Sequence, residues 1–514
     1  MKKQPYPITE LTGGLDTSKD AMLITDSSSP NVSRIRFRKG LLEKDTGFTT
    51  FIDDVNKIPM LYYTYKQYDG DEFLILLTDD HAYKYISTGW SLISTNPGPT
   101  FTGTIDNRFW ALSIYAEHGG SSKDWMVCSN GYDPIQLFDG STWAALTGPT
   151  NLTAKCAMVL NNRLVLANMR NTSTGAVAPT QVVWSDAGEI DDYVDGTAGS
   201  FDIVETPGAI LAAATLGSQG FLLKRDSIWE LVTTNTTEVF EYRMVVDKLG
   251  TVAMNSVQSS GQVIYYVAED NVYAFDGSVS TPIGGALSAE LFNPRTSKMN
   301  YKYRNRITSV YLPHMREYWL GVPTTGTSPD YLYKYYEDFN AWTRQPLSHT
   351  ALGIFYKQAS PRTWADAKGT SESWADNAGK QWDVEAVTAQ SPTVIYGETG
   401  GQTYEGTAAS FDTNRMEWQS RDFLFGHAAR FVEWRVLCKG TGAFRLAHSE
   451  DEGLSWSNEV TFTSHSKHFR EFVMLMNVQA RSTRLRIRTE AKQFVLKWAE
   501  PWYIPKVRSI TYKA

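Results

Sequence analysis

One phrase recurs along this chain and limits what it can fold into: an acidic turn, a strand with aromatics at alternate positions, a Gly or Asn turn and, often, a tryptophan. Its first two copies are Asp79-Asp80-His81-Ala82-Tyr83-Lys84-Tyr85 with Gly89-Trp90, and Asp133-Pro134-Ile135-Gln136-Leu137-Phe138-Asp139-Gly140 with Trp143. A terse copy, Arg225-Asp226-Ser227-Ile228-Trp229-Glu230-Leu231, follows. Two more are Glu269-Asp270-Asn271-Val272-Tyr273-Ala274-Phe275-Asp276-Gly277 and Asp330-Tyr331-Leu332-Tyr333-Lys334-Tyr335 with Asn340-Ala341-Trp342. An apolar strand precedes each, at 73–77, 125–128, 220–224, 262–267 and 318–322.

Two strands joined by a tight acidic turn make a hairpin, and alternation sets Tyr83 with Tyr85, or Tyr331 with Tyr333 and Tyr335, on one face that can be wholly buried. The wide gap between Trp143 and Trp229 admits one further unit, holding 164–167 and 182–184. Hairpins repeating at intervals of roughly 45 to 60 residues match the blades of a β-propeller, whose sheets pack radially because none buries its face alone. Ordinary β-sandwich hairpins also fit short, evenly spaced strands. The constant turn chemistry favours an all-β propeller of six or seven blades.

The propeller is expected over 59–415, with an irregular last part at 360–415 where Gly, Ala, Ser and Thr crowd around Trp374 and Trp382. That part reads as a final irregular blade or as a long ordered insertion. Residues 1–58 are expected to close the propeller or to contact neighbours. From Met416 strands resume, at 431–437, 443–448, 472–477, 483–488 and 494–498, enough for a β-sandwich-like C-terminal domain over 416–514.

Composition narrows the function. The chain has 49 Lys and Arg against 56 Asp and Glu, a formal charge of −7, opposite to what tight binding of a phosphate backbone needs. Cys128, Cys156 and Cys438 are odd in number and far apart, so neither a disulfide framework nor a thiolate metal site is expected. Gln4-Pro5-Tyr6-Pro7 stands where a signal peptide after Met1-Lys2-Lys3 would be apolar. Apolar stretches such as 209–216 fall far short of the roughly 20 residues of a membrane helix. A soluble protein folded in a reducing cytoplasm is the expectation.

The sharpest local motif is Ser449-Glu450-Asp451-Glu452-Gly453-Leu454-Ser455-Trp456, an Asp-box turn in which Ser449, Asp451, Gly453 and Trp456 are the signature residues. Its chemistry is local: the carboxylate satisfies turn N–H groups, Gly accepts positive φ, and Trp packs on the sheet. A glycosidase would need paired carboxylates flanking a sugar, and one Asp box does not supply them. His465 and His468 read as surface histidines rather than ligands, and Gly440-Thr441-Gly442 lacks the rest of any phosphate-binding loop. No catalytic residue, metal or cofactor is expected. Arg34, Arg36, Arg38 and Lys39 read as a solvated or subunit-contacting strand face rather than a DNA strip. The connections 170–180 and 324–330 are gate candidates by length alone.

Three stretches together resemble the tail hub, or nozzle, proteins of short-tailed bacteriophages, a family that includes packaged-DNA stabilisation proteins. They are Gly13-Gly14-Leu15-Asp16 with Asn31-Val32 and Gly40-Leu41-Leu42-Glu43-Lys44-Asp45-Thr46-Gly47-Phe48; then Lys248-Leu249-Gly250 through Val272-Tyr273-Ala274-Phe275-Asp276-Gly277 to Ile283-Gly284; then the Asp box. Lys44 stands where arginine is commoner and Asn271 where glycine is usual. The resemblance implies a structural virion protein. Its expected form is a homohexameric ring below the portal and adaptor, continuing the DNA channel, retaining packaged DNA and docking tail fibres or spikes. Viral DNA would pass the lumen without sequence-specific binding. Assembly in the host bacterial cytoplasm and residence in the virion tail follow. The other reading is a propeller that binds or hydrolyses glycans, as sialidases do.

Overall fold

The computed structural model describes residues 2–8, 10–86, 89–94, 100–234, 239–356, 392–406, 414–491 and 493–505, the side chains of 425–428 excepted. Local chemistry sets the hairpins. Asn161 and Asn162 both take positive φ, 49° and 57°, which a two-residue turn between 152–160 and 163–171 requires. In the repeated Asp-Gly turns, Asp139 Oδ1 accepts the N–H of Ser141 and Thr142 at 3.0 and 2.7 Å, and Asp276 Oδ1 accepts those of Ser278 and Val279 at 2.9 and 2.8 Å. The acidic residue therefore does the same work in both blades.

Six four-stranded sheets stand as separate units, and a seventh meander of the same order, 308–346, is joined at its outer strand to the C-terminal sheet. In chain order the first strands of the blades are Pro59–Lys66, Trp110–His118, Leu152–Leu160, Ile210–Leu216, Gln258–Ser259, Thr308–Leu312 and Ala351–Tyr356. Here they are called blades 1 to 7. Each packs against the next, and blade 7 packs back on blade 1. The apolar side chains divide accordingly, one cluster lying between each pair of neighbours. Met60 and Ile75 meet Phe138 between blades 1 and 2, for example, and Tyr62 and Leu76 meet Phe355 and Ile395 between blades 7 and 1.

This arrangement corrects the expectation of one buried face per hairpin. Strands 227–233, 317–322 and 331–336 are buried on both faces almost throughout. A blade is pressed between two others, so alternation gives way to continuous apolar or aromatic runs.

Blade 7 is assembled from distant pieces. Pro392–Gly397 and Thr403–Gly406 follow Ala351–Tyr356, and the outermost strand is Phe48–Ile52, paired with Thr403–Gly406. The ring is thus closed by a strand from the opposite end of the chain. Within 360–415, which was expected to be irregular, the described residues 392–406 form a regular hairpin, while 360–391 and 407–413 lie outside the described residues.

In the C-terminal domain, Phe423–Ser449 and Val460–Thr489 are long strands that bend, the first at Gly440–Gly442. Residues 430–441 pair with Gln493–Ile504, whereas 444–449 pair with 484–489. The domain is not independent of the propeller. Val32 and Ser33 bridge Arg344 of blade 6 to Glu417 and Trp418, and one apolar cluster runs from Val267 and Tyr318 to Trp434, Phe444 and Ile487. Gly14, at φ 73°, lies so close to blade 6 that a Cβ would come within 2.6 Å of the Trp342 carbonyl oxygen. The Gly-Gly phrase near the start is a docking point for this shared core.

Candidate functional site

The Asp-box turn joins the two long C-terminal strands. Ser449 Oγ donates to Asp451 Oδ1 at 2.8 Å and accepts the Gly453 N–H at 2.8 Å. Ser455 donates its N–H to Asp451 Oδ1 at 2.8 Å and its hydroxyl to Oδ2 at 2.5 Å. These bonds hold the Asp451 carboxyl down at about 2. Both its oxygens are engaged, so Asp451 is not poised as a general acid near neutral pH. Gly453 sits at φ 89°, and Trp456 carries the Arg486 guanidinium 4.3 Å from its ring centroid.

Beside the turn lies a ladder of ion pairs on the 484–489 strand. Arg484 clamps buried Asp422 with two bonds, one from Nε at 2.9 Å. Arg486 and Arg488 reach Glu459 at 3.3 and 3.0 Å, and Arg488 also donates to Glu417 at 2.7 Å. Burial opposes ionisation of Glu459, yet the bond and charge of Arg488 keep its carboxyl below the ordinary range. Alternation on one strand brings the three arginines together, and neighbouring strands supply the acids.

A second polar cluster ties together the segments that enter three blades. Residues 100–109 lead into blade 2, and their Arg108 is buried, donating to the carbonyls of Arg306 and Thr350 at 3.0 and 3.1 Å. Those carbonyls precede blades 6 and 7, so one side chain links the segments that enter blades 2, 6 and 7. Asp106 makes a two-bonded pair with Arg306, at 2.6 and 2.9 Å, and accepts from Asn305 at 3.0 Å. Burial, with Arg306 nearby, pulls the Arg108 guanidinium down to about 10. His349 is buried in the same region; its Nδ1 is 2.9 Å from the Leu347 carbonyl and its Nε2 2.9 Å from Thr308 Oγ1, and burial lowers it to about 4. The segments that enter blades 2, 6 and 7 are therefore joined by buried polar side chains. The composition of 100–109 did not reveal this cluster, because its partners lie about 200 residues away in sequence.

The remaining candidates are dispersed. His465 and His468 are exposed. Arg36 pairs with Glu43 across the 35–44 hairpin at 3.1 Å, and Arg38 and Lys39 face solvent. Both gate candidates are tied down: Asn171 Oδ1 accepts the N–H of Ser173 and Thr174, and Asp330 accepts those of Thr324 and Thr325. Among the described residues no group of three or more His, Cys, Asp and Glu could hold a metal, and no helix is long and apolar enough to cross a membrane.

Fold and site define a β-propeller protein whose propeller shares its core with a second β domain. No family model matches the sequence, and no curated protein matches it. Among solved structures it is similar to the extracellular domain of a one component system from Bacteroides thetaiotaomicron, with TM-score 0.40 and 8% identity over 82% of this chain and 48% of that one. A quinonprotein alcohol dehydrogenase-like protein from the same organism has TM-score 0.32 and 10% identity, over 58% of this chain and 67% of that one. The chain thus spans about half of the former. Likeness this slight carries no argument about function.

Proposed function

We propose that this chain is a structural subunit of a short-tailed bacteriophage tail, a hub or nozzle protein assembled as a ring, a homohexamer, beneath the portal and adaptor. The order of the three family-like stretches along the chain suggests it. The observation that supports it best is the single core joining blades 5 and 6, residues 8–42 and the C-terminal domain. A body stiffened in this way suits repeated, head-to-tail contacts around an axis.

In this reading DNA passes through the lumen enclosed by the copies. A net acidic wall lets DNA slide, because few phosphates exchange counterions for lysine or arginine. Outer surfaces of the ring would remain for fibres or spikes. Light scattering on the purified full chain tests the reading. A mass several times that of one chain, and density for the ring beneath the portal in electron microscopy of intact particles, are the expected results. A monomer that binds or cleaves sialosides would overturn it in favour of the glycan reading.

A further inference from the structure

The strand segment 470–483 pairs with 423–438 on one side, and on its other side no strand partner occurs among the described residues. Natural sheets protect such edges with charges, proline, bulges or a covering element. Between Glu471 and Arg481 neither charge nor proline is present, and the one clear step in residue count between the paired strands falls between the Phe431–Val478 and Glu433–Leu475 pairs. Phe472-Val473-Met474-Leu475-Met476-Asn477-Val478-Gln479-Ala480 carries no charge, no proline and no glycine. An uncharged strand of this kind, roughly 30 Å long at about 3.3 Å per residue, would template unwanted pairing if left bare.

Its outward side chains are Val473, Leu475, Asn477 and Gln479, so the first half of the edge is apolar and the second polar but uncharged. Leu475 is 77% exposed and Val473 37%, and Leu424, on the paired strand, is 59% exposed. Leu475 and Met476 line an open groove of about 560 Å³ with Val432, Ile504, Arg430 and Asn477. Arg470 and Arg481 are exposed at the two ends of the strand. Charge is distributed unevenly over the chain. From residue 416 onward 16 Lys and Arg stand against 10 Asp and Glu, although acids are in excess over the whole sequence, so the preceding part is strongly acidic.

From these observations we infer that a second copy of this chain seats on the 472–480 edge and its groove, with its acidic propeller surface against the basic rim. The inference rests on the ring reading and identifies one of the two surfaces that make the ring. Strand edge and apolar groove supply hydrogen bonds and buried area, while opposite charge sets which part of the neighbour arrives. The contact is head-to-tail, since a basic edge meeting the same basic edge would repel.

The test compares wild-type full chain with Leu475→Glu and with Val473→Glu/Leu475→Glu, by light scattering across concentration and by hydrogen exchange of 471–481. Both side chains point outward, so thermal melting and circular dichroism are expected to match wild type. The expected result is an assembled wild type with slow exchange at 471–481, and variants whose assembly midpoint rises at least tenfold with fast exchange there. Assembled variants of unchanged midpoint, or an assembled wild type whose 471–481 amides exchange freely, overturn this inference and leave the ring reading in place. A wild type that stays monomeric at all concentrations defeats the ring reading and this inference with it.

Discussion

Glu317 gives the most direct check on the physical account of the shared core. It lies in the second strand of blade 6, where its carboxylate accepts the Trp319 indole N–H at 2.7 Å, near the buried pair of Lys334 and Asp45. Burial raises its pKa from 4.5 to about 7; Lys334, the indole bond and Arg36 oppose the rise, and Asp45 adds to it. Between these two values the folded protein keeps a proton that the unfolded chain has released, so stability falls as pH rises through that window and levels off above it. At 1.36 kcal/mol per pH unit, the full loss above pH 7 is about 3 kcal/mol. Glu317→Gln keeps an oxygen for the indole and removes the ionisation. The variant should match wild type near pH 5 and exceed it by about 2 to 3 kcal/mol near pH 8. Urea unfolding followed by tryptophan fluorescence at both pH values measures the difference. A constant offset between the two proteins across pH, or a wild type that gains on the variant as pH rises, would refute the assignment of a buried, protonated Glu317.

Three further outcomes follow from the geometry. Gly453→Ala should destabilise the C-terminal domain by about 1 to 2 kcal/mol, since φ is 89° and a Cβ would come within 2.4 Å of Arg484 Nη1; thermal unfolding reads the loss, and proteolysis at 450–457 locates it. Arg108→Ala should cost about 2 to 4 kcal/mol by leaving the buried carbonyls of Arg306 and Thr350 without their donor, with faster hydrogen exchange at 100–109 and 305–308; unchanged exchange would show that the link between blades 2, 6 and 7 does not depend on it. Cys128, Cys156 and Cys438 are buried, and burial pushes the thiols of Cys156 and Cys438 up to about 12 and that of Cys128 higher still; a thiol reagent should label none of the three in the native protein and all of them in urea.

Blades 1 to 6 were legible because each carries its hairpin within one short run of sequence. The aromatic phrase marks the second and third strands of blades 1, 2, 4, 5 and 6, and blade 3 fits the gap left for it. Blade 7 was not legible, and the reason is separation: Phe48 pairs with Gly406, and its ring packs edge-on against Tyr396 and Trp319, none of them near it in sequence. The Asp-box turn was readable for the opposite reason, since Ser449, Asp451, Gly453 and Ser455 bond to one another within seven residues. Arg108 and the 472–480 edge lay between these limits. Arg108 is one of many arginines until its partners at the entries to blades 6 and 7 are known. The run 472–480 reads from composition as one more core strand, and what sets it apart is that on one side it has no strand partner among the described residues, a property of the sheet rather than of the segment. The same separation bears on assembly. A ring closed by strand 48–52 requires the start of the chain to find residues that come more than 350 positions later, and the N-terminal 44 residues are meanwhile engaged by the C-terminal domain and blade 6. Propeller closure and docking of the C-terminal domain are therefore coupled through the N-terminal segment, and a subunit that has not completed both lacks the stiff body that the proposed ring requires.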